Sequence, residues 1–121
     1  MKEKAQIVDL GFSVADADDV KINYKNDNLV LSFNDWKEVS HIVTFAGVSG
    51  FKWQEAEFTL DFENERFDET HEILNSEWIK QHQDQNELVS DEKPIHYKFN
   101  FNADGVFEFI CTEIKIILSE P

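Results

Sequence analysis

Residues 96–111 read HYKFNFNADGVFEFIC, and this stretch decides the fold that we expect. Tyr97, Phe99 and Phe101 alternate with polar residues, which is the period of a β-strand with one apolar face. The NADG sequence at 102–105 is typical of a tight turn, because its glycine accepts a positive φ angle. The chain then returns through a second apolar strand, from residue 106 towards residue 118. The stretch therefore predicts an antiparallel hairpin.

The returning strand changes the phase of its apolar positions. On an extended chain, Phe107 and Phe109 share one face. Ile114 and Ile116 fall on the opposite face. We therefore expect a bulge or bend near Thr112, or burial of both faces towards the end of the strand.

The rest of the chain extends this pattern to a whole domain. Alternation predicts further strands at residues 20–24, 29–33, 41–46 and 58–62. One segment predicts a helix, because Ser76 suits the N-cap and Glu77 places a carboxylate in the first turn, with Trp78 anchoring it on the sheet. We therefore expect a single α+β domain over residues 1–121. Its mostly antiparallel sheet would have about six or seven strands, with the helix inserted before the final hairpin.

The chain is strongly acidic. It has 25 Asp and Glu residues against 11 Lys and Arg, a net charge of −14. Residues 61–121 hold 15 acidic and 5 basic residues, so most of the excess lies in this half. A protein that binds nucleic acid or an anionic membrane surface needs a positively charged face. The net negative charge of this chain therefore argues against either as a partner. The 11 Phe and 3 Trp residues supply an aromatic core, so the acids decorate a folded surface.

Acidic residues are concentrated in residues 61–77, where Arg66 is the only basic residue. A small domain needs a net charge of only about 2–8 in magnitude for solubility, so this chain has more than solubility requires. A concentrated negative segment can steer a basic protein into contact. The candidate partner-binding carboxylates are Asp61, Glu63, Glu65, Asp68, Glu69 and Glu72.

Two tryptophans are further candidates for the partner-binding surface. Trp36 and Trp53 each lie where a predicted strand meets a loop. Tryptophan is enriched at interface hot spots, which favours a role in recognition. The alternative is that each packs at the edge of the core.

No catalytic, cofactor or metal motif emerges from the residues. Asp16 and Asp18 match the first ligand positions of a calcium loop, but Lys21 stands where the turn glycine belongs. The four histidines have no zinc-site spacing. Cys111 lies in an apolar strand, which is typical of a core residue rather than a nucleophile. We therefore expect no enzyme, no metal and no cofactor.

The sequence also indicates a compartment. No run approaches the length of a membrane span, and the N-terminus leads into no apolar signal region. The single cysteine excludes an internal disulfide and suits a reducing environment. We therefore expect a cytoplasmic protein.

The order of elements resembles that of some small bacterial proteins of unknown function. The resemblance rests on a hairpin ending in SFNDW at 32–36, a strand HIVTF at 41–45, the Ser76-capped helix and the closing hairpin from His96-Tyr97. Some of these proteins are of the immunity-protein type in polymorphic toxin systems. What the resemblance implies is inhibition by binding, in which an acidic protein covers the basic surface of a toxin.

We therefore predict a non-enzymatic, acidic protein-interaction module that binds a basic partner protein. Two alternatives stay open. The aromatic face of Tyr97, Phe99 and Phe101 could line a small-ligand cavity. A pair of carboxylates, with or without a divalent metal, could serve a hydrolase. Exposed sheet edges would also allow a homodimer.

Overall fold

The computed structural model describes residues 2–58, 61–85 and 93–118, which form nine strands in two sheets and one α-helix. The strands are β1 (Lys4–Ile7), β2 (Asp18–Lys25), β3 (Asn28–Asn34), β4 (Ser40–Ala46), β5 (Gly50–Gln54), β6 (Thr70–Leu74), β7 (Ile95–Asn100), β8 (Val106–Cys111) and β9 (Glu113–Leu118). Helix α1 spans Glu77–Asp84, and short 3₁₀ turns span Ala56–Phe58 and Asn102–Asp104.

The strands divide between a five-stranded and a four-stranded sheet. The five-stranded sheet has the order β1-β6-β7-β8-β5, and the four-stranded sheet has the order β2-β3-β4-β9. All paired strands run antiparallel. The mostly antiparallel α+β architecture is confirmed, whereas the expected single sheet is wrong. The sequence prediction failed here because alternation locates strands but does not assign them to sheets.

The core lies between the two sheets and is mostly aromatic. Phe45 of β4 stacks on Phe109 of β8 with 3.8 Å between ring centroids. Phe33 of β3 meets Phe101 edge-on at 5.1 Å. The buried cluster also contains Val14, Ala17, Leu31, Val43, Phe99, Phe107 and Cys111. Rings packed in this way hold the two sheets together by dispersion and by removal of apolar surface from water.

The predicted hairpin and the predicted bend are both confirmed. In the β7–β8 hairpin, Tyr97 pairs with Phe109 and Phe99 with Phe107. After Cys111 the chain leaves the five-stranded sheet, and β9 pairs with β4 in the four-stranded sheet. The chain thus crosses from one wall of the core to the other at Thr112. Residues that point inwards from opposite walls must have opposite phases, which explains the switch in the sequence.

Helix α1 begins where the sequence predicts. Ser76 has extended backbone angles, and its Oγ accepts a hydrogen bond from the backbone N–H of Ile79 at 3.1 Å. This bond satisfies one of the N–H groups that a first helical turn leaves without a partner. The helix precedes the β7–β8 hairpin, so its expected place is confirmed.

The strand predicted at 58–62 does not form as expected. Residues 59 and 60 lie outside the described residues, Phe58 ends a 3₁₀ turn, and residues 61 and 62 are not in a strand. Among the helices that the structure describes, none is long and apolar enough to cross a membrane.

Candidate functional site

The outer face of the five-stranded sheet carries a buried layer of polar residues beneath α1. His96 Nδ1 lies 2.7 Å from Ser76 Oγ, and His96 Nε2 lies 2.8 Å from Glu108 Oε1. Burial opposes ionisation of Glu108, but the hydrogen bond and charge of His96, helped by nearby lysines, outweigh it and lower its pKa. Glu108 is therefore a carboxylate at neutral pH. The chain Ser76–His96–Glu108 joins the start of the helix to β7 and β8.

An ion pair holds the second part of this layer. Lys98 Nζ lies 2.8 Å from Glu65 Oε1, and their side chains are only 1% and 3% exposed. The Glu65 carboxylate also accepts hydrogen bonds from Asn100 Nδ2 and from the backbone N–H of Phe62, both at 2.9 Å. The prediction that Glu65 lies on a partner-binding surface is therefore wrong. A buried ammonium requires a counter-charge, and Glu65 supplies it from inside the protein.

The other acidic candidates do not share one face. Glu72 pairs with Tyr97, so its side chain lies on the same face of the sheet as Tyr97. Lys98 is the next residue on β7 and points to the opposite face, where it meets Glu65. Asp61 and Glu63 are exposed, whereas Asp68, Glu69 and Glu72 are partly buried. The segment is thus divided between two faces of the sheet.

The two candidate tryptophans are exposed but lie on different sheets. Trp36 follows β3 of the four-stranded sheet and is 58% exposed, with the Lys37 ammonium 5.0 Å from its ring centroid. Trp53 lies on β5, at the edge of the five-stranded sheet, and is 49% exposed. Its indole N–H donates to the Asp104 carbonyl at 2.9 Å. Their exposure suits recognition better than the alternative of packing at the edge of the core.

A groove beside β5 combines Trp53 with negative charge. This recess, which we call the Trp53 groove, has a volume of about 490 Å³. Its acidic lining residues are Glu55, Glu57 and Asp104, and no basic residue is among the described residues that line it. Sequence reasoning missed these three acids, because they are separated along the chain and outside the densest acidic segment.

A second recess opens on the opposite face of β5. It has a volume of about 570 Å³ and is lined by Glu3, Lys52, Gln54, Phe58, Asp61, Phe62, Glu77, Trp78, Gln81, His96 and Glu108. We call it the Trp78 cleft. Because neighbouring strand residues point to opposite faces, Lys52 and Gln54 face this cleft whereas Trp53 faces the groove. Edge strand β5 is therefore flanked by two acidic recesses, each with a tryptophan.

Trp78 is fixed in place by close packing on the sheet. Its ring meets the His96 ring edge-on, with 5.1 Å between centroids. A Cβ atom at Gly50 would lie 2.8 Å from Trp78 Cζ2, so the absence of a side chain there allows the helix to approach β5. The prediction that Trp78 anchors the helix is confirmed. The Lys52 ammonium lies 4.3 Å from the Trp78 ring centroid, within the range of a cation–π contact.

The structure also places Cys111 and the aromatic face of β7. Burial raises the pKa of the Cys111 thiol to about 12, so it stays protonated and unreactive at neutral pH. Within the described part of the chain, no group of three or more His, Cys, Asp or Glu residues is placed to hold a metal ion. Tyr97, Phe99 and Phe101 are the residues proposed to line a ligand cavity, and of these Phe99 and Phe101 pack against the second sheet through Phe45 and Phe33. That face is occupied by the protein itself.

Comparison with known proteins gives no matching family model, no matching curated protein and no matching solved structure.

Proposed function

We propose that the protein is a non-enzymatic interaction module that binds a basic partner protein. The observation that carries this proposal is the pair of acidic, tryptophan-lined recesses on either side of edge strand β5. Exposed aromatic rings anchor protein interfaces, and complementary charge favours the correct partner. We propose further that the protein is an immunity-type inhibitor, whose acidic face covers a basic surface of a toxin.

The exposed aromatic residues around β5 support the placement of the partner interface at this strand. Phe58 is 65% exposed and lies between the acidic residues Glu57 and Asp61 in the chain. Phe51 and Trp53 are also exposed on the strand itself. An edge strand with exposed rings would favour aggregation, and the surrounding carboxylates counter this while leaving the surface open to a cationic protein.

The acidic face that we propose is centred on β5, residues 55–58 and Asp61. It excludes Glu65, which is internal, and Glu72, which lies on β6 and is separated from β5 by β7 and β8. Asp61 is the one acidic candidate from the sequence that lines the Trp78 cleft. Negative charge around exposed rings would raise the association rate and orient the partner, and ring burial would then slow dissociation.

The test begins with the partner itself. The full chain is used as bait in its native cells, and a captured protein is identified, purified and mixed with it in a stopped-flow instrument. We expect a basic protein whose association slows steeply between low and high salt. Expression of that protein alone should arrest bacterial growth, and co-expression with this protein should restore growth. A partner that is not basic, or a rate that is independent of salt, would contradict the proposal.

Two charge-reversal variants locate the interface. Glu57→Lys with Asp61→Lys should slow association by about tenfold or more, because it reverses charge on both sides of Phe58. Asp18→Lys with Glu113→Lys changes the net charge equally, but at exposed positions of the four-stranded sheet. This control should slow association by no more than about threefold. Equal effects of the two variants would mean that the interface is not at β5.

A further inference from the structure

We infer that the Trp78 cleft is a receptor for an arginine side chain, and that Lys52 occupies it as an internal cation until the arginine displaces it. The assignment of this arginine to the partner rests on the proposed function. The binding of a guanidinium group in the cleft does not rest on it, and can be measured without the partner.

The shape and lining of the cleft suit a flat cation. Phe58 and Trp78 supply ring surface, and the carboxylates of Glu3, Asp61 and Glu77 are among its lining residues. A guanidinium group is planar, stacks on aromatic rings and donates to carboxylates in pairs. The ammonium of lysine has neither the plane nor the paired donors, so the cleft should prefer arginine to lysine.

The carboxylates that can meet a cation lie at the rim of the cleft, not at its floor. Glu108 lines the cleft, but its carboxylate is hydrogen bonded to His96 at 2.8 Å and is buried. Asp61 and Glu77 are exposed to solvent, and Glu3 Oε2 accepts the backbone N–H of Glu77 at 2.9 Å. The rim acids therefore face an incoming cation, while the Glu108 carboxylate is already hydrogen bonded within the protein.

Lys52 provides independent evidence that this site accepts a cation. Its ammonium lies 4.3 Å from the Trp78 ring centroid, which is the position that a bound guanidinium would take. Lys52 is exposed on an edge strand, and its flexible stem allows the ammonium to move into solvent. It thus competes with an external cation for the ring and repels it. Removal of this lysine should strengthen arginine binding rather than weaken it.

Titration of the full-length protein with Nα-acetyl-arginine amide tests the inference. The readout is the set of Trp78 indole resonances in NMR spectra recorded at low ionic strength. We expect saturable shifts at Trp78, with weaker binding of Nα-acetyl-lysine amide. Lys52→Gln should tighten arginine binding by about twofold to fivefold, and Asp61→Asn should weaken it by a similar factor. Asp18→Asn, an exposed position on the four-stranded sheet, is the control and should leave the affinity unchanged.

Two results would overturn the inference. One is a titration in which the Trp78 resonances do not shift, or shift without saturation together with resonances across the whole surface. The other is an affinity that Lys52→Gln leaves unchanged or lowers. If the cleft fails in this way while association with a basic partner still depends on salt and on Glu57, the inference is wrong and the proposed function stands. If the cleft binds arginine but no basic partner exists, the proposed function alone is wrong.

Discussion

The burial of Glu65 leads to a prediction that separates it from its neighbour Glu63. Glu65→Gln removes the negative charge beside Lys98 while keeping the shape of the side chain. Removal of one partner from a buried ion pair costs about 3–5 kcal/mol, because the other charge stays buried without compensation. A glutamine carbonyl at the position of Oε1 can still accept two of the three hydrogen bonds, from the Phe62 N–H and from Lys98 Nζ, whereas its amide group would face the donor Asn100 Nδ2. We therefore expect a loss near the lower end, about 3 kcal/mol.

The variant should still fold, so the loss can be measured. A chain of this length has a free energy of unfolding of roughly 6–18 kcal/mol. Urea unfolding followed by tryptophan fluorescence and circular dichroism gives the difference directly. Glu63→Gln is the matched control, since Glu63 is exposed and only two positions away. It should change stability by less than about 0.5 kcal/mol.

A double variant shows whether the ion pair itself is responsible. Glu65→Gln with Lys98→Met removes both charges, so the second substitution should recover much of the loss caused by the first. If Glu65→Gln costs no more than Glu63→Gln, or if the double variant is less stable than the sum of the single variants, Glu65 does not compensate Lys98 in the folded protein. The assignment of Glu65 to the interior would then be wrong.

Three further predictions follow from other buried groups. Burial lowers the pKa of His71, whose Nε2 accepts a hydrogen bond from the backbone N–H of Arg66 at 3.0 Å. The contribution of His71 to stability should therefore be complete above pH 6.5, its ordinary pKa. It should decrease as the pH falls below that value, because the unfolded chain then takes up a proton. His71→Gln should flatten the urea midpoint between about pH 7 and pH 5, and an unchanged slope would contradict this. Gly105→Ala should cost more than about 1 kcal/mol, because Gly105 has a φ of 94° and a Cβ there would overlap the Trp53 indole; a smaller loss, or an unchanged Trp53 fluorescence spectrum, would refute it. Cys111 should resist iodoacetamide at pH 8 in the folded protein and react in urea, since its pKa is about 12; rapid labelling without denaturant would contradict its burial.

Local periodicity was sufficient to predict the elements whose residues alternate most regularly. The β7–β8 hairpin followed from the alternating aromatic residues and the NADG turn, and the phase change between phenylalanine and isoleucine positions indicated a bend near Thr112 as one of two alternatives. Ser76 marked the start of the helix, because an N-cap acts through hydrogen bonds within one turn. These are short-range effects, and a single sequence contains all the residues that determine them.

Long-range pairing decided what the sequence could not predict. Glu63 and Glu65 lie in the same acidic run, and only the position of Lys98, 33 residues beyond Glu65, separates an exposed carboxylate from a buried one. The polar residues of β7 have the spacing of a strand with a solvent-facing side. The structure instead covers that side with α1 and the segment around Glu65. Nothing in the alternation distinguishes a polar face in water from one buried against a helix.

The buried polar layer also determines how the Trp78 cleft can be studied. Ser76, His96 and Glu108 fix the start of the helix that carries Trp78, and two of the three line the cleft. Substitution of these residues would therefore change stability and cleft shape together. Lys52 and Asp61 are exposed, and no hydrogen bond from either side chain is among those of the described residues. A change in cation affinity at these two positions thus reports on the cleft, because neither side chain belongs to the Ser76–His96–Glu108 hydrogen-bonded chain.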